Sequence, residues 1–412
     1  MGLQLIIGGS GSGKTLMMYN ELIKKSMEEQ RHFYVVVPEQ FTMETQKMIV
    51  NLSGERRGST KIDIVSFNRL AKRIFDEAGL NKISVLDDTG KCLLLRKIIE
   101  ENKKDFTVFG SKSGMSGFVE EMKSMISELY QYGVGEEKLQ EILSMAGKRP
   151  LLQAKLQDIA LIRSKLREYM QDNYIMNEEL LERVSTLIEN SQIMKDSIVS
   201  FDEYTGFSPV QYEVIRKLLK ASKDVYITIT LRDADKIDYA EINDLDVFGI
   251  SRKTINKLKT IAREENVPIY SDIILNENKR QDGRNTLIHL EKNIFKPSYT
   301  RIKSDEDIEI HVCDNPVMES EYVAVKIEEL IRQGYRYKDM AVITTDIESY
   351  DRFMRETFNK YDIPCFIDNK KSVTANPMVE TIRAALEIIS DNFSYESVFR
   401  YLRYGMTALK RD

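Results

Sequence analysis

The stretch Gly8-Gly9-Ser10-Gly11-Ser12-Gly13-Lys14-Thr15 matches the phosphate-binding pattern Gly-x-x-x-x-Gly-Lys-Thr at every fixed position. It follows the apolar run Leu3–Ile7, which predicts a buried strand, and precedes Leu16–Glu28, whose pattern predicts a helix. Glycines let backbone N–H groups surround a phosphate at the positive end of such a helix. A Gly/Ser-rich turn that binds nothing is the alternative. Because both flanking elements are present, the sequence favours a nucleotide-binding loop.

The residue types in this loop predict what it binds. Lys14 would reach the β- and γ-phosphates of a nucleotide, and the Thr15 hydroxyl would hold Mg²⁺. We therefore expect ATP and Mg²⁺ as cofactors, bound by the loop from Gly8 to Thr15. The pattern and its flanking elements predict an α/β chain with a P-loop NTPase fold.

A carboxylate pair lies at the end of another predicted strand. Asp202 and Glu203 directly follow the apolar run Ile198–Phe201. In a P-loop enzyme Asp202 would contact the metal, and Glu203 would activate the attacking water as a general base. The alternative is an exposed pair that caps the next helix. The position of the pair, after a P-loop and after a long helical region, favours the catalytic interpretation.

The order of the predicted elements indicates a discontinuous first domain. Strands at Phe33–Val37 and Ile62–Val65 continue a doubly wound parallel sheet, which resumes at Ser197–Phe201 and Val225–Leu231. Between them, residues 87–190 show helical periodicity without strand signals and predict an all-helical insertion. We predict a RecA-like ATP-binding domain over 1–86 and 191–300, although residues 232–300 have no clear pattern.

The last part of the chain predicts a second α/β unit. Predicted strands at Ile308–Val312, Met340–Thr344 and Pro364–Ile367 alternate with helical patterns. We interpret residues 301–412 as a second, incomplete RecA-like domain that ends in the start of a further helical region.

Charge and composition limit the classes of partner. The chain has 412 residues, of which 42% are apolar and 30% charged, as expected for about two or three globular domains. Sixty basic and 65 acidic residues give a net charge of −5, so no global positive field attracts nucleic acid. A nucleic-acid site would have to be a local groove.

Cysteine usage and hydropathy indicate a reduced, cytoplasmic protein. Cys92, Cys313 and Cys365 are scattered singly, which predicts neither a disulfide framework nor a zinc site. The three histidines also lack ligand spacing. Residues 1–7 form a predicted strand rather than a signal peptide, and no apolar stretch approaches the length of a membrane span.

Polar residues at two strand ends are candidates for DNA contact. They follow the second and third predicted strands, where polar side chains of RecA-like sheets often touch the DNA backbone; they are Gln40, Thr42, Ser66, Asn68 and Arg69. The alternative is that they are ordinary loop and cap residues. Arg69 in particular would then cap its helix or pair with a carboxylate such as Asp76 or Glu77.

Taken together, these motifs resemble superfamily 1 helicases of the UvrD/RecB kind, and within them the AddB/RexB subunits of bacterial ATP-dependent helicase/nucleases. The residues that carry the resemblance are Gly8–Thr15, the segment 36–42, Ser66–Ala71 with Arg73, Phe201–Glu203 with Gly206–Pro209, and the runs 339–343 and 363–370. The resemblance implies an AddA/RexA-type helicase-nuclease partner, a DNA substrate, and a role in double-strand break repair and recombination. It also implies that Gln211, nine residues after Asp202, contacts the nucleotide.

The chain departs from the helicase pattern in three places. Nothing precedes the first strand, where a glutamine would contact adenine. Arg232-Asp233 stands where Gly-Asp-x-Gln would sense the γ-phosphate, and Thr344-Thr345-Asp346 stands where a transition-state arginine is usual. Arg352 or Arg355 could replace that arginine. ATP binding is therefore expected, whereas hydrolysis by this chain alone stays open.

The family continues well beyond residue 412, into a nuclease domain held by a cysteine-bound iron–sulfur cluster. Three scattered cysteines cannot build that cluster, so we expect the chain to be an N-terminal portion without nuclease or cluster. Two other functions compete with that of an ATP-hydrolysing protein that contacts DNA. One is a non-catalytic DNA-scanning scaffold with a regulatory ATP site, and the other is a P-loop kinase of a small molecule, which the helical insertion and second α/β unit disfavour.

Overall fold

A computed structural model describes residues 2–54, 61–80, 84–112, 115, 117–170, 174–232, 246–295, 300–303, 307–369, 373 and 376–404. The chain forms two compact units, Met1–Ile308 and Glu309–Asp412. Within the described residues the strands are β1 (Gly2–Gly8), β2 (Phe33–Val36), β3 (Ile62–Val65), β4 (Ser84–Leu86), β5 (Tyr174–Met176), β6 (Ile198–Phe201), β7 (Asp224–Thr230) and β8 (Ile273–Leu275).

The main sheet of the first unit is parallel, with the strand order β3-β2-β6-β7-β1-β8. Gly8 at the end of β1 pairs in register with Thr230 of β7, and Phe201 at the end of β6 pairs with Val36 of β2. The carboxyl ends of these strands therefore meet at one edge of the sheet. In open parallel sheets this edge is where ligands bind.

Helices cover both faces of this sheet. The helices of the first unit are α1 (Lys14–Glu28), α2 (Thr42–Leu52), α3 (Phe67–Glu77), α4 (Asp88–Glu101), α5 (Phe118–Gln131), α6 (Glu136–Met145), α7 (Pro150–Met170), α8 (Asn177–Leu187), α9 (Pro209–Ala221), α10 (Gly249–Glu264) and α11 (Asn285–Asn293). Leu3, Leu5 and Ile7 pack into a core with α3, α8, α9 and α10. Ile6 points the other way, into a second core with α1 and α2. Burial on both faces explains why these strands read as continuous apolar runs.

The region 87–190 is mostly helical, but the expectation that it lacks strands is wrong. β5 pairs in parallel with β4, with Ser84 opposite Tyr174 and Leu86 opposite Met176. Strands of three residues are too short to show a period-two pattern against helical neighbours. Helices α4, α5 and α7 enclose their own core, whereas α8 packs into the core of the main sheet.

The segment 232–300 contributes elements that its sequence did not predict. α10 buries Ile255, Leu258 and Ile261 against the sheet. β8 extends the sheet beside β1, with Ile6 opposite Ile273 and Gly8 opposite Leu275. Residues 233–245, including Asp233, lie outside the described residues.

The second unit corrects the prediction of another RecA-like sheet. Its described helices are α12 (Pro316–Arg332), α13 (Ile347–Lys360), α14 (Pro377–Ser390) and α15 (Tyr395–Arg403), and none of its described residues forms a strand. Each of the three predicted strands has an apolar side chain that faces solvent: Ile310 is 88%, Ile343 93% and Phe366 89% exposed. A strand exists only where a neighbour satisfies its backbone groups, and no such neighbour is found here in the described part of the chain.

A small apolar core holds this unit together. Ala324 and Ile327 of α12 pack against Met354 and Phe358 of α13, with Ile363 beside them. In neither unit is a described helix both long enough and apolar enough to cross a membrane.

Candidate nucleotide-binding site

The loop between β1 and α1 has the backbone conformation that a phosphate cradle requires. Gly11 and Gly13 have φ angles of +77° and +89°, in the left-handed region that residues with a side chain rarely adopt. Gly13 is the N-cap residue of α1 and supplies no side-chain cap. The first N–H groups of α1, at the positive end of its dipole, are therefore available to an anion.

Close packing explains why glycine begins the loop. A Cβ atom at Gly8 would lie 2.5 Å from Ser12 Oγ and 2.6 Å from the carbonyl oxygen of Leu275 in β8. The Ser12 hydroxyl is buried, and it finds no hydrogen-bond partner among the residues that the structure describes. A buried hydroxyl without a partner is costly, and a bound phosphate oxygen would satisfy it.

Lys14 closes the loop on itself. Its Nζ donates hydrogen bonds of 2.9 Å and 2.8 Å to the carbonyl oxygens of Gly8 and Gly9. Burial lowers the pKa of Lys14, and Arg280 lowers it further, against the opposing effect of Asp202 and Glu203. Phosphate oxygens would replace two neutral carbonyls as partners of this ammonium group and strengthen its interactions.

Asp202 lies where a metal-holding carboxylate is expected. It directly follows β6, which is separated from β1 by one strand, and is only 2% exposed. Its Oδ1 accepts a hydrogen bond from the Thr228 hydroxyl of β7. Its Oδ2 is buried and has no partner within the described ranges. An unpaired buried carboxylate oxygen fits a ligand of Mg²⁺ or of its water shell.

Glu203 is held in an unusual conformation next to Asp202. Its φ angle of 62° lies in the left-handed region, which is rare for a residue with a side chain and is often seen at functional sites. Partial burial of its carboxyl group and the neighbouring Asp202 raise the pKa of Glu203, while Lys14 and Arg280 lower it. A carboxylate with a raised pKa beside the phosphate loop is suited to accept a proton from water.

The protein ligands of a magnesium ion would be few. No group of three or more His, Cys, Asp or Glu residues converges among the described residues. The residues that fit are Asp202 and Thr15, which lies at the start of α1. Mg²⁺ commonly takes one or two protein ligands and completes its octahedron with phosphate oxygens and waters.

Arg280 belongs to this site and was missed by sequence reasoning. Its N–H donates a 3.1 Å hydrogen bond to the carbonyl oxygen of Gly11. A Cβ atom at Gly11 would lie 2.7 Å from Asn278 Oδ1 and 2.8 Å from Arg280 Cβ, so the segment after β8 packs directly on the phosphate loop. The signal was the pair Lys279-Arg280 shortly after the apolar run Ile273–Leu275.

Arg352 and Arg355, the sequence candidates for a transition-state arginine, both lie on α13. Arg352 pairs with Glu356 at 2.9 Å, and Arg355 pairs with Asp351 at 2.8 Å. Each arginine thus has a carboxylate partner one helical turn away. Their catalytic role stays a prediction.

Gln211 has a local structural role at the start of α9. Its Oε1 accepts a 2.8 Å hydrogen bond from the N–H of Ser208, and its own N–H donates to Ser208 Oγ. This capping box orients the first turn of the helix. Contact of Gln211 with a nucleotide stays a prediction.

One surface cavity, of about 400 Å³, is lined by two of the five DNA-contact candidates. Ser66, Asn68 and Gln211 line it, together with Lys91 of α4. Ser66 is buried and caps α3 by accepting from the N–H of Arg69.

The remaining candidates lie at the surface beside the short helical turn Glu39–Phe41. Arg69 pairs with Glu39 at 2.9 Å, rather than with Asp76 or Glu77. The Thr42 hydroxyl donates to the carbonyl oxygen of Glu39 at 2.9 Å, and Gln40 is exposed. Ser66 and Thr42 therefore have capping roles, and DNA contact by any of these residues stays a prediction.

Comparisons with known proteins show which family the chain belongs to. A family profile described as "ADDB, N-terminal" matches residues 5–291. The B subunit of the ATP-dependent helicase/deoxyribonuclease of Lachnoclostridium phytofermentans is 39% identical over the whole chain, and the match spans 36% of that protein. The proteins of the same name from Clostridium tetani and Clostridioides difficile are 34% and 33% identical over the whole chain, again across 36% of their length. The chain therefore belongs to the AddB family, as a match to the N-terminal part of its members.

Proposed function

We propose that this chain binds and hydrolyses Mg·ATP as the nucleotide-dependent part of an AddB-type helicase/nuclease protein. The observation that carries the proposal is the convergence of four charged side chains at one sheet edge: Lys14, Asp202, Glu203 and Arg280. Burial is the main cause of the lowered pKa of Lys14 and of the raised pKa of Glu203, and charge interactions with the other three groups act on both pKa values as well. Clusters of perturbed groups in a cleft are typical of active sites.

The strand order supports a P-loop NTPase of the RecA-like kind. β7 lies between the phosphate-loop strand β1 and the acidic strand β6. This spacing separates the ends of β1 and β6 by two strand intervals, or about 10 Å. A nucleotide phosphate with its metal ion would fill such a gap between the ammonium group and the carboxylate.

Each residue has a distinct role in the proposed reaction. Lys14 neutralises the β- and γ-phosphates, while Asp202 and the Thr15 hydroxyl hold Mg²⁺. Bound Mg²⁺ would withdraw charge from the phosphates during transfer. Glu203 orients the attacking water and takes its proton.

Arg280 adds a second positive charge to that of Lys14 in the phosphate loop. Its segment contacts Gly11, and its charge acts on both Lys14 and Glu203. We assign it to the charge that develops on the transferring phosphoryl group. An arginine in this role accelerates phosphoryl transfer by about 10³–10⁵.

The relatives indicate the biological setting. Their name describes the B subunit of an ATP-dependent helicase/deoxyribonuclease. By this likeness we propose that the chain acts in the cytoplasm on DNA with an AddA/RexA-type partner, in repair of double-strand breaks and homologous recombination. The chain spans about a third of the length of those relatives, so nuclease activity is assigned to no residue here.

One observation favours a second candidate, a non-catalytic module with a regulatory nucleotide site. Both hydrogen bonds of Lys14 go to carbonyl oxygens of its own loop, an arrangement that a structural loop can keep. The rate of ATP hydrolysis distinguishes the ATP-hydrolysing protein from the regulatory module. We expect magnesium-dependent ATP hydrolysis that single-stranded DNA stimulates and that Lys14→Ala abolishes. Nucleotide binding without turnover, with or without DNA, would favour the regulatory module instead.

A further inference from the structure

Arg232 lies beside the phosphate loop, at the end of the strand next to it. The N–H of Leu231 donates a 3.0 Å hydrogen bond to the carbonyl oxygen of Gly8, which continues the ladder between β7 and β1. The next residue, Arg232, therefore comes level with Gly9. A Cβ atom at Gly9 would lie 3.9 Å from both Cβ and Cγ of Arg232.

The guanidinium group of Arg232 binds α11. Its Nη1 is 3.0 Å from Glu291 Oε1 and also donates to the carbonyl oxygen of Glu291. The ring of Phe248 lies under the guanidinium, 5.8 Å from its carbon to the ring centroid. The Arg232 side chain is 16% exposed and that of Glu291 is 32% exposed, so solvent screens this ion pair only in part.

The Glu291 carboxylate is also adjacent to the phosphate loop. Its Oε1 lies 3.9 Å from the same Cβ position at Gly9. A triphosphate bound by the loop would bring several negative charges to this carboxylate, and like charges at such distances repel. Carboxylate and phosphate are both bidentate partners for arginine, so the two anions compete for Arg232.

We propose that Arg232 is a phosphate ligand specific for the triphosphate state of the nucleotide. Until the nucleotide arrives, the Glu291 carboxylate occupies the position on the Arg232 guanidinium that the phosphate will take. This inference rests on the proposed nucleotide binding. The arriving γ-phosphate takes the guanidinium, and the Glu291 carboxylate leaves. Because Glu291 belongs to α11, loss of the ion pair also loosens α11 from the end of β7. The loop that carries Arg280 lies just before this helix in the chain.

Four variants and two ligands test the exchange. A non-hydrolysable ATP analogue and ADP, each with Mg²⁺, are titrated into wild type, Glu291→Gln, Arg232→Gln and the double variant. Because Glu291→Gln removes the competing carboxylate, it should raise the affinity for the analogue about fivefold and leave the affinity for ADP nearly unchanged. Arg232→Gln should lower the affinity for the analogue by a similar factor. In the double variant, the Glu291→Gln change should give no gain.

Controls separate this inference from the proposed function. Glu264→Gln breaks a 2.8 Å ion pair between α10 and Arg216 of α9 and should alter neither affinity. Thermal unfolding checks that Arg232→Gln remains folded, and Glu291→Gln is an independent test if it does not. If Lys14→Ala weakens nucleotide binding as expected, but the Arg232 and Glu291 variants change the affinities for both ligands equally or not at all, the exchange alone is overturned. Absence of nucleotide binding by wild type would overturn both proposals.

Discussion

The loop after β1 and the segment after β8 contact each other at Gly11, but their origins differ. The loop after β1 is defined by one continuous sequence motif, which ends in Lys14 and Thr15. The second follows a three-residue strand and reaches the site because β8 pairs with β1. One region is positioned by its own sequence and the other by sheet topology. Arg280, which the sheet topology brings to the loop, is therefore as much a part of the candidate site as the residues of the motif.

The largest expected effect is on the rate of ATP hydrolysis, when Arg280 in the segment after β8 is substituted. Arg280→Ala should lower the rate of ATP hydrolysis by about 10³ with nucleotide affinity nearly unchanged, because its charge acts on the transferring phosphoryl group. Arg263→Ala, which removes an exposed arginine from α10, is the matched control. Single-turnover hydrolysis at saturating Mg·ATP measures the step, and similar rates for both variants would place Arg280 outside the reaction.

The effect of Glu203→Gln is expected to be of similar size and to depend on pH. General-base catalysis contributes about 10²–10⁴ in rate, and the amide removes it. The base must be ionised, and a raised pKa means that it takes up a proton at a higher pH than an ordinary glutamate does. Wild-type kcat/KM should therefore fall, as the pH is lowered, before the pH reaches 4.5, the usual value for glutamate. If Glu203→Gln keeps the same acid limb, another group is the base.

Gly11 tests the contact between the two regions. Gly11→Ala forces a Cβ atom to within 2.8 Å of Arg280 Cβ in addition to the strain at a φ of +77°. Gly117→Ala provides the control, since its φ is +90° but no atom lies within 4 Å. Both variants should lose about 1 kcal/mol from backbone strain, and Gly11→Ala should lose about 1–3 kcal/mol more from overpacking. Equal free energies of unfolding in denaturant titrations would mean that the contact is not tight.

The smallest effect concerns DNA. Arg69→Ala should weaken binding of single-stranded DNA alike for all sequences, and should flatten the salt dependence by about one contact, because phosphate contacts release counterions. Glu39→Gln removes the partner of Arg69 and should strengthen binding slightly. Affinities across a salt series measure both. Equal slopes for wild type and Arg69→Ala would move the DNA path elsewhere, with the helical insertion as the next candidate.

Local patterns predicted the parts of the fold that are stabilised by local features. Strand β1, helix α1 and strand β6 appear where their local sequence patterns predicted them. β8 was missed because three half-buried residues form a strand only through their pairing with β1. Arg280 was missed for the same reason, because its place beside Gly11 follows from the pairing of β8 with β1.

The second unit shows the opposite error. The run at 340–344 has the same apolar character as Phe33–Val37, yet Ile343 is exposed whereas Val35 is fully buried. Apolar composition indicates a potential strand, but pairing with a neighbour decides whether it forms.

Magnesium-dependent nucleotide binding tests the central claim most directly. A labelled ATP analogue is titrated into wild type, Lys14→Ala, Asp202→Asn and, as a control on the same helix, Lys24→Ala, at several Mg²⁺ concentrations. We predict that wild type and Lys24→Ala bind equally well, that Lys14→Ala loses about tenfold or more in affinity, and that Asp202→Asn loses the magnesium dependence. Equal, magnesium-independent affinities in all four proteins would show that the edge formed by β1 and β6 is not a nucleotide site.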